Sequence, residues 1–274
     1  MESASYPERE GRDKNMRIID THAHYDDKAF DPDREEVLSS LPEAGVVYAV
    51  NVGASMAGAA ASVELADRWP FMYAACGIHP DDVGNLDEHG MEKLRNLCAH
   101  PKCVAVGEIG LDYHWMVQPK LQQKRWFIRQ LTLSKELSLP INVHSRDAAQ
   151  DTFDIIREYH AGSTGGIIHC FSGSAQMALE YVKMGYYIGI GGVVTFKNGR
   201  VLKEVVSCVP EDRLVTETDA PYLAPVPYRG KRNRSDYIRY VIEQIAALKG
   251  QETQEMARIL FENGCRVYGL SPQK

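Results

Sequence analysis

The run I-I-D-T-H-A-H, residues 18–24, ends a short β-branched segment on two histidines, His22 and His24, spaced two apart. On an extended chain such residues point to one side, so the two imidazoles stand together where the apolar part of the run stops. Seven more short, largely apolar runs follow. With the first drawn over 17–21, they fall at 46–52, 71–77, 104–108, 140–144, 166–170, 186–191 and 214–218. Runs of this kind are expected of parallel strands covered on both faces, and the gaps leave room for a returning helix. Helical spacing is visible in those gaps, at Phe127, Leu131 and Leu137, at Tyr237, Val241, Ile245 and Leu248, and at Met256, Ile259 and Leu260.

Eight β/α units in this length predict an α/β fold, a (β/α)8 TIM barrel forming a single domain over residues 16–274. Periodicity alone also allows an open doubly wound sheet. The first strand, however, is not followed by the G-x-G-x-x-G turn of dinucleotide binders, and Gly189, Gly191 and Gly192 come too late to supply it. Residues 1–15 are polar, mixed in charge and without apolar periodicity, and read as a disordered extension.

In a barrel of this type the C-terminal strand ends surround the active site. Glu108 ends the fourth run, His144 the fifth, His169 the sixth and Asp219 follows the eighth. Taken alone, the His22/His24 pair is explained as well by a structural pair as by a metal site. Four histidines and two carboxylates at one rim are harder to explain separately, because a titratable group next to an apolar strand is costly to bury unless paired or bound to metal. Imidazole and carboxylate donors suit Zn2+, Mn2+, Fe2+ or Ni2+ and, with waters, Mg2+. Six donors exceed the three protein ligands usual for one catalytic zinc. They divide between two divalent ions if His22, His24 and Asp219 serve one, His144 and His169 the other, and Glu108 bridges.

The wording around these residues resembles a known family. D-T-H-A-H, G-I-H-P, G-E-I-G-L-D-Y, V-H-S-R-D-A, H-C-F-S-G and E-T-D-A-P-Y-L-A-P followed by G-K-R-N span residues 16 to 233 and are similar to TatD-type deoxyribonucleases. These form a branch of the amidohydrolase-like metal barrels in which a glutamate takes the bridging position often held by a modified lysine. The chain departs from the pattern at Arg234 and Ser235, where such proteins continue with an acidic residue and proline. The resemblance implies hydrolysis of DNA phosphodiesters, with single-stranded ends preferred and action from the 3′ side. Removal of an aminoacyl group from tRNA is the alternative chemistry, and a non-catalytic barrel scaffold the alternative class.

For the reaction itself, Asp219 is the candidate to orient and deprotonate a metal-activated water, with Glu108 as bridge. Glu217, on the same side of its strand, is a further catalytic candidate or a partner that fixes a histidine. His79, Arg146 and Arg232 are candidate substrate contacts, each explained equally well as structural. The basic loop with Arg229, Lys231, Arg232 and Arg234, and Tyr222 or Tyr228 as stacking surfaces, is the sequence's best contact for a nucleic-acid backbone. A solvated loop explains it as well. Tyr113, Trp115 and the acids Asp26, Asp27, Asp31 and Asp33 read as loop residues, and His89, His100, His114 and His160 as surface or loop histidines.

The 274 residues are 44% hydrophobic and carry a formal charge of −6, which argues against a protein that coats duplex nucleic acid. No transmembrane run, secretory signal or obligate protein partner is indicated, and a cytoplasmic protein is expected. The six scattered cysteines read as buried free thiols.

Overall fold

Eight parallel strands, β1 (Ile18–Ala23), β2 (Val46–Gly53), β3 (Met72–Cys76), β4 (Cys103–Asp112), β5 (Ile141–Arg146), β6 (Gly166–Ile168), β7 (Tyr186–Ile190) and β8 (Leu214–Thr216), pair in sequence order. The computed structural model describes residues 16–160 and 162–273; the expected extension over 1–15 lies outside them. The sheet closes between β8 and β1 through the Ala23–Ala220 bridge, with Asp219 N donating to His22 O (2.9 Å) and His24 N to Ala220 O (2.8 Å). The result is the expected α/β barrel, and it excludes the open sheet.

Helices α1 (Arg34–Ser40), α2 (Met56–Arg68), α3 (Glu88–Cys98), α4 (Lys120–Leu137), α5 (Ala149–Tyr159), α6 (Ala175–Lys183), α7 (Arg200–Cys208) and α8 (Ile238–Lys249) return the chain between strands or follow the last, and α9 (Thr253–Tyr268) comes after. Local sequence explains their starts. Ser55 caps α2 by accepting from Gly58 N at 3.0 Å, a contact worth about 1 kcal/mol, and the helix turns Ala59, Leu65 and Ala66 inward. The spacing seen in α8 buries Val241, Ile242 and Ile245. Among the described residues, no helix is long and apolar enough to cross a membrane.

Strand limits differ from the sequence expectation where function intervenes. β4 runs on to Asp112 because Gly110, at φ 146°, lets the chain press against β5; a Cβ there would stand 1.9 Å from His144 O. β6 and β8 stop early because Cys170 (φ 43°) and Asp219 (φ 57°) adopt left-handed backbone and swing out of the ladder. Two burial assignments are corrected. His160 is buried, bonded through Nδ1 to the Tyr186 hydroxyl and through Nε2 to Ser134 Oγ at 3.1 Å. Of the six free thiols, Cys208 is exposed and Cys170 half-buried, so only Cys76, Cys98, Cys103 and Cys265 fit the buried class.

Candidate metal centre

The strand ends bring His22, His24, Glu108, His144, His169 and Asp219 to one rim. His22 Nε2 and His24 Nε2 stand 3.1 Å apart, and Glu108 Oε2 lies 3.7 Å from each. The other oxygen of Glu108, Oε1, faces the second pair, 2.9 Å from His144 Nδ1 and 3.8 Å from His169 Nε2. Asp219 Oδ1 is 3.4 Å from His24 Nε2 and 3.8 Å from His169 Nε2. Donors about 2.0–2.2 Å from one ion stand about 3–4 Å from each other, which is the spacing found here.

Hydrogen bonds behind the rings decide which nitrogen faces the centre. Asn142 donates through Nδ2 to the Tyr268 hydroxyl (2.9 Å), leaving Oδ1 to accept from His22 Nδ1 at 3.2 Å. His24 Nδ1 donates to Val52 O at 2.7 Å. With both Nδ1 atoms carrying hydrogen, the two Nε2 lone pairs point at each other. That contact is repulsive unless a proton or a metal cation lies between them.

Electrostatics carry the same message. Burial opposes charge on His24, yet Asp219 and Glu108 reverse this and lift it to about 10. His144 is raised to about 9, Asp112 and Glu108 outweighing burial. Burial, reinforced by His169, pushes His22 down. Burial also works against ionised Glu108, but His144 and His22 hold its carboxyl well below the usual range. The centre therefore demands positive charge between fixed carboxylates, and the donor set fits divalent metal ions.

Two buried carboxylates back the second pair of histidines. Asp112 Oδ2 lies 3.1 Å from His144 Nε2, which leaves Nδ1 as that ring's donor toward the centre. Sequence reasoning missed Asp112, although it stands inside the quoted G-E-I-G-L-D-Y run; the signal was an acid four residues beyond Glu108 on an unusually long strand. Glu217 Oε1 is 3.1 Å from His169 Nδ1 and accepts from Cys170 N at 2.6 Å. Burial opposes charge on the His169 ring, and the Glu217 carboxylate, through its charge and through hydrogen bonding, outweighs it and raises the imidazole above its usual range. Glu217 has no exposed surface and its Oε2 packs where a Cβ on Gly189 would stand 2.4 Å away. The contact with His169 is the one expected of a partner that fixes a histidine, and the room Gly189 leaves for it explains a glycine that no phosphate loop requires.

A third buried acid, Asp20, ties β1 to β8. It accepts from His22 N and Thr218 N, and from the hydroxyls of Thr218 and Ser235, each at 2.6 Å. Burial raises it to about 6, against the pull of Ser235 and Thr218. Ser235 also meets the Tyr25 hydroxyl at 2.6 Å, so the departure at this position supplies an internal hydroxyl.

The centre opens into a cleft of about 760 Å³. His79 and Arg146, two of the candidate substrate contacts, line it. Burial holds His79 down at about 4, so its ring is neutral; Nδ1 accepts from Asp81 N at 3.2 Å, which leaves Nε2–H as a donor. Arg232 pairs with both oxygens of Asp33 (2.8 and 2.5 Å) and lies over Phe30. None of Arg229, Lys231, Arg232 or Arg234 lines the cleft; Arg234 pairs with Asp236 and Arg229 lies over Phe196. Tyr228 stacks on Tyr237 at 4.2 Å, whereas Tyr222 is exposed on the cleft wall.

A parallel barrel with a His/Asp/Glu centre at its C-terminal rim defines a metal-dependent hydrolase. Residues 19–269 match the family model described as TatD related DNase. The chain is 45% identical to the uncharacterized metal-dependent hydrolase YabD of Bacillus subtilis, over 93% of this chain and 100% of that protein. It is 32% identical to the 3′-5′ ssDNA/RNA exonuclease TatD of a Rahnella species, over 89% of this chain and 95% of the relative. The crystal structure of the TatD homologue YjjV from Escherichia coli superimposes with a TM-score of 0.85 at 30% identity, covering 93% of this chain and 99% of the other. The chain belongs to the TatD-related DNase family of metal-dependent hydrolases.

Proposed function

We propose that this protein is a two-metal exonuclease that hydrolyses phosphodiester bonds in single-stranded DNA from the 3′ end. The observation that carries the reading is the orientation of Glu108, whose two oxygens face two different histidine pairs. His22, His24 and Asp219 would hold one divalent ion and His144 and His169 the other, chosen from Mg2+, Zn2+, Mn2+, Ni2+ and Fe2+. When bound, such ions polarise the scissile phosphate and lower the pKa of a water. Asp219, partly open to the cleft, takes the proton of the attacking water. Neutral His79 donates a hydrogen bond to a phosphate oxygen and Arg146 supplies a guanidinium. The name of the Rahnella relative supports the substrate class. Free buried thiols accord with a reducing cytoplasm.

The test is a metal-content measurement on the purified protein together with a chelator-controlled assay on labelled single-stranded DNA, duplex DNA, RNA and aminoacyl-tRNA. Metal-dependent shortening of single strands from the 3′ end is expected. Deacylation of aminoacyl-tRNA with no DNA cleavage would replace this reading, and a protein that takes up no divalent metal would end it.

A further inference from the structure

We propose that Trp115, backed by Arg146, is a stacking platform that grips an unpaired nucleobase at the mouth of the cleft; the proposal rests on the nuclease reading above. Trp115 follows β4 and lines the cleft, yet 63% of its surface is exposed. Val117 (56%) and Leu121 (83%) are exposed just beyond it. An apolar patch at the edge of a site marks a surface that meets something apolar.

The patch is tied to the metal centre. Asp112 Oδ1 accepts from Trp115 N at 3.1 Å and His114 N at 2.8 Å, while its Oδ2 contacts His144. The His114 ring meets the indole edge-on, with centroids 4.8 Å apart. The Arg146 guanidinium, two residues beyond His144, lies 5.5 Å from the indole centroid. Among the described residues, no carboxylate forms an ion pair with Arg146, which is exposed. The backbone that carries the indole is thus held by the same acid that contacts His144, with a cation beside the ring for a phosphate.

Charge explains why a base, and an unpaired one, is the occupant. Outside the metal centre the cleft is lined by four carboxylates, Asp26, Asp27, Asp81 and Asp82, against one guanidinium, that of Arg146. Beyond the metal centre, such walls give the phosphates of the strand little to hold. Stacking on a neutral base adds affinity without that conflict, and only an unpaired base has a free face. Tyr222, 54% exposed, also lines the cleft.

The test compares binding of two phosphorothioate-linked, fluorescently labelled oligothymidylates to the metal-loaded protein, one intact and one with tetrahydrofuran abasic units at its 3′ end. The intact strand should bind more tightly. Trp115→Ala should weaken it about tenfold and the abasic strand by less than about twofold, with Trp115→Phe retaining most of the preference. Equal weakening of both strands, or of neither, would overturn the platform. So would a Trp115→Ala protein whose sedimentation shows lost self-association while DNA binding is unaltered. Wild-type protein that neither binds nor cleaves DNA would instead defeat the nuclease reading. Cleavage of DNA with indifference to Trp115 defeats the platform alone.

Discussion

Replacing Glu217 by glutamine should weaken one metal position and spare the other. The carboxylate is fully buried 3.1 Å from His169 Nδ1, a gross attraction of about 5 kcal/mol at an effective dielectric near 20. Most of that is offset by desolvation, leaving about 1.5–3 kcal/mol, as for hydrogen bonds to charged groups. Glutamine keeps an oxygen for Cys170 N but removes the charge that makes His169 a strong donor. Affinity at the His144/His169 position should fall about 10- to 100-fold, the range for partners behind metal-bound histidines. His22 and His24 are backed by the neutral carbonyl oxygens of Asn142 and Val52, so their position should shift by less than about threefold. Zinc titration against a competing chelator, followed by calorimetry, would resolve the two phases. Equal loss in both phases, or in neither, would refute the division of labour assigned to these second partners.

Asp219→Asn, checked for full metal content, should lose about 10²- to 10⁴-fold in turnover of a labelled single strand; undiminished turnover would remove Asp219 as proton acceptor. Metal uptake at pH 7.5 should release about two protons, because His24 (about 10) and His144 (about 9) are charged before binding and must be neutral to ligate. Calorimetry in buffers of different ionisation enthalpy reads this directly, and affinity should fall as pH is lowered. Burial, with the nearby Lys135 charge, holds His160 down at about 4. The unfolded chain therefore takes the proton first on acidification. Up to roughly 3 kcal/mol of stability, present above pH 6.5, should be lost as pH falls toward 4. Urea unfolding of His160→Gln across that range should show a flatter pH profile, and a slope matching wild type would refute the assignment.

The barrel and the gathering of six candidate ligands at its rim were legible in the sequence because both rest on local regularities. An apolar run of five or so residues followed by a histidine or carboxylate signals a strand end, and repetition of that signal at His22, Glu108, His144, His169 and Asp219 signals a shared rim. The second partners were not legible. Asp112 looks like any acid after a strand until β4 is seen to run past Glu108, and Glu217 reveals its role only when Gly189 leaves it room beside His169. Charge in the sequence misled for the same reason. Arg232 is part of a basic run as written, yet folding brings Asp33, almost two hundred positions away, into a two-oxygen pair with it. Trp115 is the loop residue the sequence suggests, but its place on the cleft is visible only in the fold. Strand and helix periods are set by neighbours along the chain, but the partner a polar group finds is set by distance in space, which barrel closure alone decides.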